Sequence, residues 1–217
     1  LGGVGLNSKI FWEIGCPRVP AFHPENPLML STGPLTGTGG PFTRATMCTI
    51  APQCFPDELF TYSGFGGKFP SELKYAGYDG IVIVGKADKP VYLWIHDEDA
   101  EIKDASDLWG FDTFQTQTVL TNGYPRASVL TIGPAGENMS RIAIILNETS
   151  GAAGQGGYGA VMGAKNLKAI VTRGTGTVKI AKPDEFMEFI RQRKIAGEWT
   201  ASVNQKHFRY PNMLPRM

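Results

Sequence analysis

The chain has 217 residues, 42% apolar and 19% charged, with 27 glycines, 15 prolines and a formal net charge of +1. That length is enough to bury a real core, about 70% of the unfolded surface. The near-zero charge supplies no field for nucleic acid or an anionic membrane, and no apolar run approaches the ~18 residues that would span a bilayer.

The opening "LGGVGLNSKIFWEIG" has neither an initiating Met nor a signal-peptide pattern and reads like the interior of a longer sequence. Along the chain, "PLMLSTG" (27–33) is an apolar run stopped by Gly-Pro, which predicts a strand and turn. Two further strands are expected at "ATMCTIA" (45–51) and "ELFTYSG" (58–64). The β-branched runs at 81–84 and 91–95, separated by Lys-Ala-Asp-Lys-Pro, predict a hairpin. His96, Asp97, Glu98 and Asp99 fall at the next turn. A metal site would need these ligands to converge, whereas a solvated turn needs nothing, so a turn is expected. Residues 107–123 carry Phe111, Phe114 and Leu120 before a glycine stop, which predicts a helix. "ASVLTIG" (127–133), "RIAIILN" (141–147) and "KAIVTRG" (168–174) predict strands. The stretch 182–199 opens with Pro183 and early acids and carries Phe186, Phe189 and Ile190 on one face, the pattern of an amphipathic helix. About eight strands against two or three helices, without βαβ alternation, predict an α+β fold of mixed, largely antiparallel sheets.

Cys16, Cys48 and Cys54 form neither a disulfide framework nor a C-x-x-C pair, and are expected to be small buried hydrophobes in a reducing cytoplasm. A cubane iron–sulfur cluster takes four thiolates, so this segment alone cannot hold one.

The loudest motif is G-x-G-x-x-G at Gly154, Gly156 and Gly159. A dinucleotide loop would follow its strand directly and have an acid about 20 residues on. Here residues 148–153 intervene and no acid stands at 175–179, so that reading fails. A Walker loop fails too, since Lys165 is followed by Asn166 rather than Ser or Thr. What remains open is an anion cradle of bare backbone N–H groups with a short helix beyond, or glycines that let a loop pack on a sheet. Two further loops, "STGPLTGTGGPFTRA" (31–45) and "YSGFGGKFPSELKYAGYDG" (62–80), add hydroxyls, bare backbone and Arg44, which could grip a phosphate bidentately. Together they suggest a polar cradle for a flat, phosphorylated ligand.

Five blocks then fall in one recognisable order: "HPENPLMLSTGPLTGT", "FGGKFPSELKYAGYDGIVIVGKADKPVYLWI", "DASDLWG", "IGPAGEN" and "GAAGQGGYGAVMGAKNLKAIVTRG". In this the chain resembles the N-terminal domain of the aldehyde ferredoxin oxidoreductase family, from about residue 1 to about 188. The resemblance implies a base of two β-sheets, residues 1–182, that carries a tungsten or molybdenum bis-pterin dithiolene. By the same resemblance, the family's first β segment is expected to be missing, and 183–217 are expected to start the connection to a second domain not in these residues. It implies a cytoplasmic enzyme that oxidises aldehydes, with ferredoxin or another electron-transfer subunit as partner and self-association left open. An aromatic acyl-thioester reductase subunit, or a non-catalytic relic of the fold, are the alternatives. The 4Fe–4S ligands and the acid–base residues would lie mostly in later domains, leaving no catalytic residue here.

Carried over residue by residue, the cofactor contacts are Arg44, then Ser63, Gly64, Phe65, Gly66 and Gly67, then Gly151, Ala152, Ala153 and Gly154. Backbone carbonyls of Gly64 and Ala152 are the implied contacts to a phosphate-bridging magnesium. Phe65 either stacks on a pterin or packs inward, and packing is the expectation. Where the family usually has Asn-Ser-Gly-Gly and His-Arg-Ala-Ala-Gly-Arg-Gly-Gly, Gly64 replaces the asparagine, and Gly151 and Gln155 replace the two arginines. The backbone N–H groups of the loop are expected to stay available.

Overall fold

The structure, a computed structural model, describes residues 1–148 and 151–195. Leu28–Thr32 (β1) is buried along its whole length and lies inside a four-stranded sheet with Ala45–Ala51 (β2), Leu59–Phe65 (β3) and Gly80–Ile83 (β4). The order is β3-β2-β1-β4, antiparallel throughout, with Met47 opposite Ser63 and Thr46 opposite Gly64.

A second sheet has six strands: Val91–His96 (β5), Asp99–Asp104 (β6), Ser128–Thr131 (β7), Ile145–Asn147 (β8), Gly151–Ala153 (β9) and Leu167–Arg173 (β10). They lie in the order β6-β5-β10-β7-β8-β9. The pairing of β5 with β10 is parallel and the others are antiparallel. This matches the expected α+β class with largely antiparallel sheets.

The expected hairpin of 81–84 with 91–95 does not form. Ile81 pairs with Leu30 in the first sheet, while Leu93 lies between Ile102 and Ile170 in the second. Between them the chain is held at both ends, Gly85 N–H to Pro24 O at 2.8 Å and Ala87 N–H to Lys165 O at 3.1 Å. Crossing between sheets sets Ile81, Ile83 and Leu93 against one shared core, which a two-stranded ribbon could not enclose. The hairpin here is β5–β6. Asp97 and Glu98 make its turn with φ of 39° and 76°, and Asp97 accepts from Thr175 N–H at 2.6 Å and Oγ1–H at 2.8 Å. Those bonds hold its carboxyl below the usual range. The acidic quartet is thus a turn, as expected, and no group of three or more His, Cys, Asp or Glu is placed to hold a metal among the described residues.

Period-2 burial then builds two cores from one sheet. Leu130 and Ile170 face the inter-sheet core with Leu28, Met47, Phe65 and Phe69, whereas Val129, Ala169 and Val171 face a smaller core with Leu108 and Leu120. Phe69–Tyr75 (α2) and Tyr158–Ala164 (α5) fill the first core. Gly3–Glu13 (α1) covers the outer face of the four-stranded sheet, with Phe11 stacked on Phe60 at 4.2 Å. Asn7 donates to Thr46 O at 3.0 Å and to Cys48 Sγ at 3.2 Å.

Several expected elements are shorter in the structure, the strand over 127–133 being confined to β7. The helix over 107–123 begins only at Thr113, running Thr113–Gly123 (α3), because Asp112 and Gln115 form a capping box there and Gly110 has φ of +94°. Phe111 precedes it and Phe114 is exposed. The strand over 141–147 is confined to β8, with Ile142 exposed in a turn. Pro134–Glu137 (α4) is a single turn. Pro183–Ile195 (α6) forms as expected. Ile190 is buried over Gly40, while Phe189 is largely exposed. The rest of the expected connection, 196–217, lies outside the described residues. No helix among the described residues is long and apolar enough to cross a membrane.

Candidate functional site

Strand β3 is an edge of the four-stranded sheet and β9 an edge of the six-stranded sheet. The two edges meet through bare backbone. A Cβ at Gly151 would stand 2.6 Å from Gly66 O, so only glycine lets β9 approach this closely. Gly67, at φ +99°, has the side chain of Asn147 where its own would be. Asn147 is fully buried. Its Nδ2 donates to Gly66 O at 2.8 Å, and its Oδ1 accepts from Ser128 Oγ at 3.2 Å. The loop 64–67 and the glycine segment are thereby locked to each other.

The structure thus brings the separately expected loops together. Ser63 Oγ accepts the Gly154 N–H at 3.1 Å. Arg44 is exposed and lies across Gly64, its Nη2 3.0 Å from where a Cβ would stand. Its guanidinium has no ion pair or side-chain hydrogen bond among the described residues. A groove of about 510 Å³ runs here, lined by Gln53, Cys54, Tyr62, Ser63, Gly64 and Gly156, among others. One carboxylate approaches the other end of the cradle. Glu148 bonds Ser128 Oγ at 3.4 Å and reaches within 3.7 Å of the Cβ position of Gly67.

The Phe65 ring packs inward, as expected: it is buried in the core, 6.4 Å from the Phe69 ring, and offers a ligand only backbone. Other expectations change. The Ala153 methyl is also in the core. The loop's N–H groups are not all free, because Gly154 donates to Ser63 and Gly156 donates to Gln53 Oε1 at 2.5 Å. The two implied carbonyl positions lie on different sheets, Gly64 opposite Thr46 and Ala152 opposite Leu146. Ser150, beside the loop, lies outside the described residues. Cys48 is buried, which pushes its thiol up to about 11. Cys16 and Cys54 are only half-buried, contrary to expectation, and Cys54 lines the groove.

Sequence reasoning missed Gln53, Asn147 and the anchor beneath the groove. That anchor is Tyr158, whose buried hydroxyl meets Thr61 Oγ1 at 2.9 Å and whose phenol is pushed up to about 12 by burial. A second device holds the 52–58 loop. Arg141 donates to Pro52 O at 2.7 Å and Glu58 at 2.6 Å, and its guanidinium covers the Phe55 ring at 4.7 Å.

An exposed guanidinium unpaired among the described residues, beside bare backbone and hydroxyl and amide donors, suits an anionic, flat ligand. A model of the aldehyde ferredoxin oxidoreductase N-terminal domain matches residues 1–174. A tungsten-containing aldehyde ferredoxin oxidoreductase of Pyrococcus abyssi is 48% identical over 180 residues, covering 82% of this chain and 29% of its own length. Its counterpart in Pyrococcus furiosus is 44% identical over 196 residues, covering 89% and 32%. The solved active site complex BamBC of benzoyl coenzyme A reductase, with 1,5 dienoyl-CoA, matches at a TM-score of 0.82 and 37% identity, covering 99% of this chain and 32% of that one. The chain thus spans about a third of the length of these relatives.

Proposed function

The chain belongs to the aldehyde ferredoxin oxidoreductase family, and we propose that it is the domain on which a tungsten or molybdenum bis-pterin cofactor lies. The observation that carries this is the meeting of β3 with the glycine segment beside Arg44, whose guanidinium is unpaired among the described residues. The residues present fit the group. Arg44 supplies a cation for a pterin phosphate, Ser63 a hydroxyl, and Gly64, Gly66, Gly67, Gly151, Ala152 and Gly154 let a flat ring system approach the backbone. Phe65 and Ala153 hold this floor rigid from the core side. Hard carbonyl oxygens of Gly64 and Ala152 are the groups that would hold a magnesium ion beside the cofactor.

When bound, the metal–pterin group supplies two-electron oxidation of an aldehyde to a carboxylic acid, with electrons leaving towards ferredoxin or another electron-transfer subunit. The work of this domain is to bind and orient the group and to keep water from one side of it. Thiolates for a 4Fe–4S cluster would come from outside these residues, which hold three cysteines. We assign the aldehyde reaction over thioester reduction on identity, 48% and 44% against 37%.

The test is metal and pterin analysis of the complete gene product that carries this segment, expressed anaerobically with tungstate. Stoichiometric tungsten or molybdenum with pterin is expected. Their absence would leave the fold as a scaffold and sink the proposal.

A further inference from the structure

We infer that Gln53 is a ligand-binding residue of the groove, acting with Ser63 to meet a phosphate-bearing ligand with neutral hydrogen-bond donors. The inference rests on the reading of the groove just given and adds a residue to it.

The Gly156 N–H can only donate, so the amide atom of Gln53 that faces it at 2.5 Å is the acceptor Oε1. That leaves Nε2, with both hydrogens, without a partner among the described residues, on a side chain that lines the groove. Ser63 repeats the arrangement. Its Oγ accepts the Gly154 N–H at 3.1 Å, and its own hydroxyl proton has no acceptor among the described residues. Each side chain takes a loop donor and returns a donor of its own to the groove wall. Arg44, which does not itself line the groove, lies over Gly64. Hydrogen bonds to an anionic oxygen are roughly twice as strong as neutral ones, so such donors hold a phosphate without further charge. Gln53 itself is held in reach by the clamp of Arg141 on Pro52 O and Glu58.

A residue that only tethers the loop is separable from one that touches ligand. Gln53→Glu keeps an acceptor for the Gly156 N–H but removes the donors and sets a negative charge against the phosphate. Ser63→Ala removes the hydroxyl and Ser63→Thr keeps it. In the complete gene product made anaerobically with tungstate, two quantities are measured: pterin and tungsten per polypeptide after gel filtration, and amide exchange at Gly154 and Gly156. We expect Gln53→Glu to keep Gly156 protected while pterin content falls about tenfold, the loss of a charge-assisted contact. Ser63→Ala should fall likewise and Ser63→Thr should match wild type. Wild-type pterin content in Gln53→Glu would reduce Gln53 to a tether and overturn the inference. If Gln53→Glu loses Gly156 protection, the Ser63 pair decides, and equal pterin in Ser63→Ala and Ser63→Thr overturns it. A wild type without pterin sinks the cofactor reading instead, and inorganic pyrophosphate then decides the groove alone. An about tenfold weaker Kd in Gln53→Glu supports the donors. An equal Kd, or no binding by wild type, overturns them.

Discussion

A side chain at position 151 would collide with the neighbouring loop, its Cβ 2.6 Å from Gly66 O and 3.3 Å from Asn147 O. Placing at 151 and 155 the arginines that the family resemblance implies should therefore give opposite results. Gly151→Arg is expected to cost about 1–3 kcal/mol in a denaturant titration, because overpacking must push β9 from the 64–67 loop. Gln155 is exposed, so Gln155→Arg should stay within about 0.5 kcal/mol of wild type. Equal stability of the two variants would show that the close approach is not needed. Lys165 gives a pH signature. It is buried, with Nζ on Pro24 O at 2.8 Å and Gly85 O at 3.1 Å, and burial lowers its pKa from 10.5 to about 8. A lowered lysine pKa means the folded state resists protonation. The penalty is complete below about pH 8, shrinks as pH rises towards 10.5 and is gone above it. Stability should rise with pH across that window in wild type and less so in Lys165→Met, and identical slopes would contradict the assignment. Arg44 and the glycines were legible in the sequence because their chemistry is local. Gln53 was not, since the N–H it accepts from lies 103 positions along the chain.

At the scale of elements, one buried ion pair joins three pieces. The fully buried Lys168 on β10 donates to Glu137 at the end of α4 and to Phe111 O at 2.7 Å, while Glu137 accepts from Gly110 N–H at 3.0 and 2.9 Å. Lys168→Met strands a carboxylate in the core and is expected to cost about 3–5 kcal/mol by chemical denaturation. The double variant Lys168→Met/Glu137→Leu should regain much of this, whereas a double variant no better than the single would assign the cost to lost packing. The same network explains why α3 starts late, since Gly110 and Phe111 are tied to Glu137 and Lys168 rather than wound into a helix. Strand β2 was read from sequence to its end residues because a seven-residue, mostly apolar run with β-branched Thr46, Thr49 and Ile50 lies between turn signals. The hairpin over 81–95 was misread because β-branched runs give strand identity but not the partner strand. Helices α1 and α2 and strands β6 and β9 were among the elements that went unread. The seven residues of α2 are too few for a periodic signal, and β9 is two alanines and a glycine whose place is fixed by Gly66.

For the molecule as a whole, the two sheets enclose one core and bring β3 and β9 together, so the candidate site belongs to the fold rather than to one motif. That is why the G-x-G-x-x-G spacing misleads taken alone. Of its three glycines, Gly159 allows close approach to Ile144 O and Gly156 takes a φ of +130°, while a side chain at Gly154 would meet nothing within 4 Å. Fold class and the order of the conserved-looking blocks were readable because alternation and turn chemistry are written locally. The internal satisfaction of the loop N–H groups was not, because it depends on side chains from the other sheet. The central claim is that the cofactor lies along this seam. It is tested most directly by amide exchange of the complete gene product, comparing protein made with tungstate and protein from cells starved of tungstate and molybdate. Protection should appear in the peptides covering 63–67 and 151–157 and be absent from β6, at the far edge of the second sheet. Cofactor-dependent protection that leaves the seam unchanged would contradict the account.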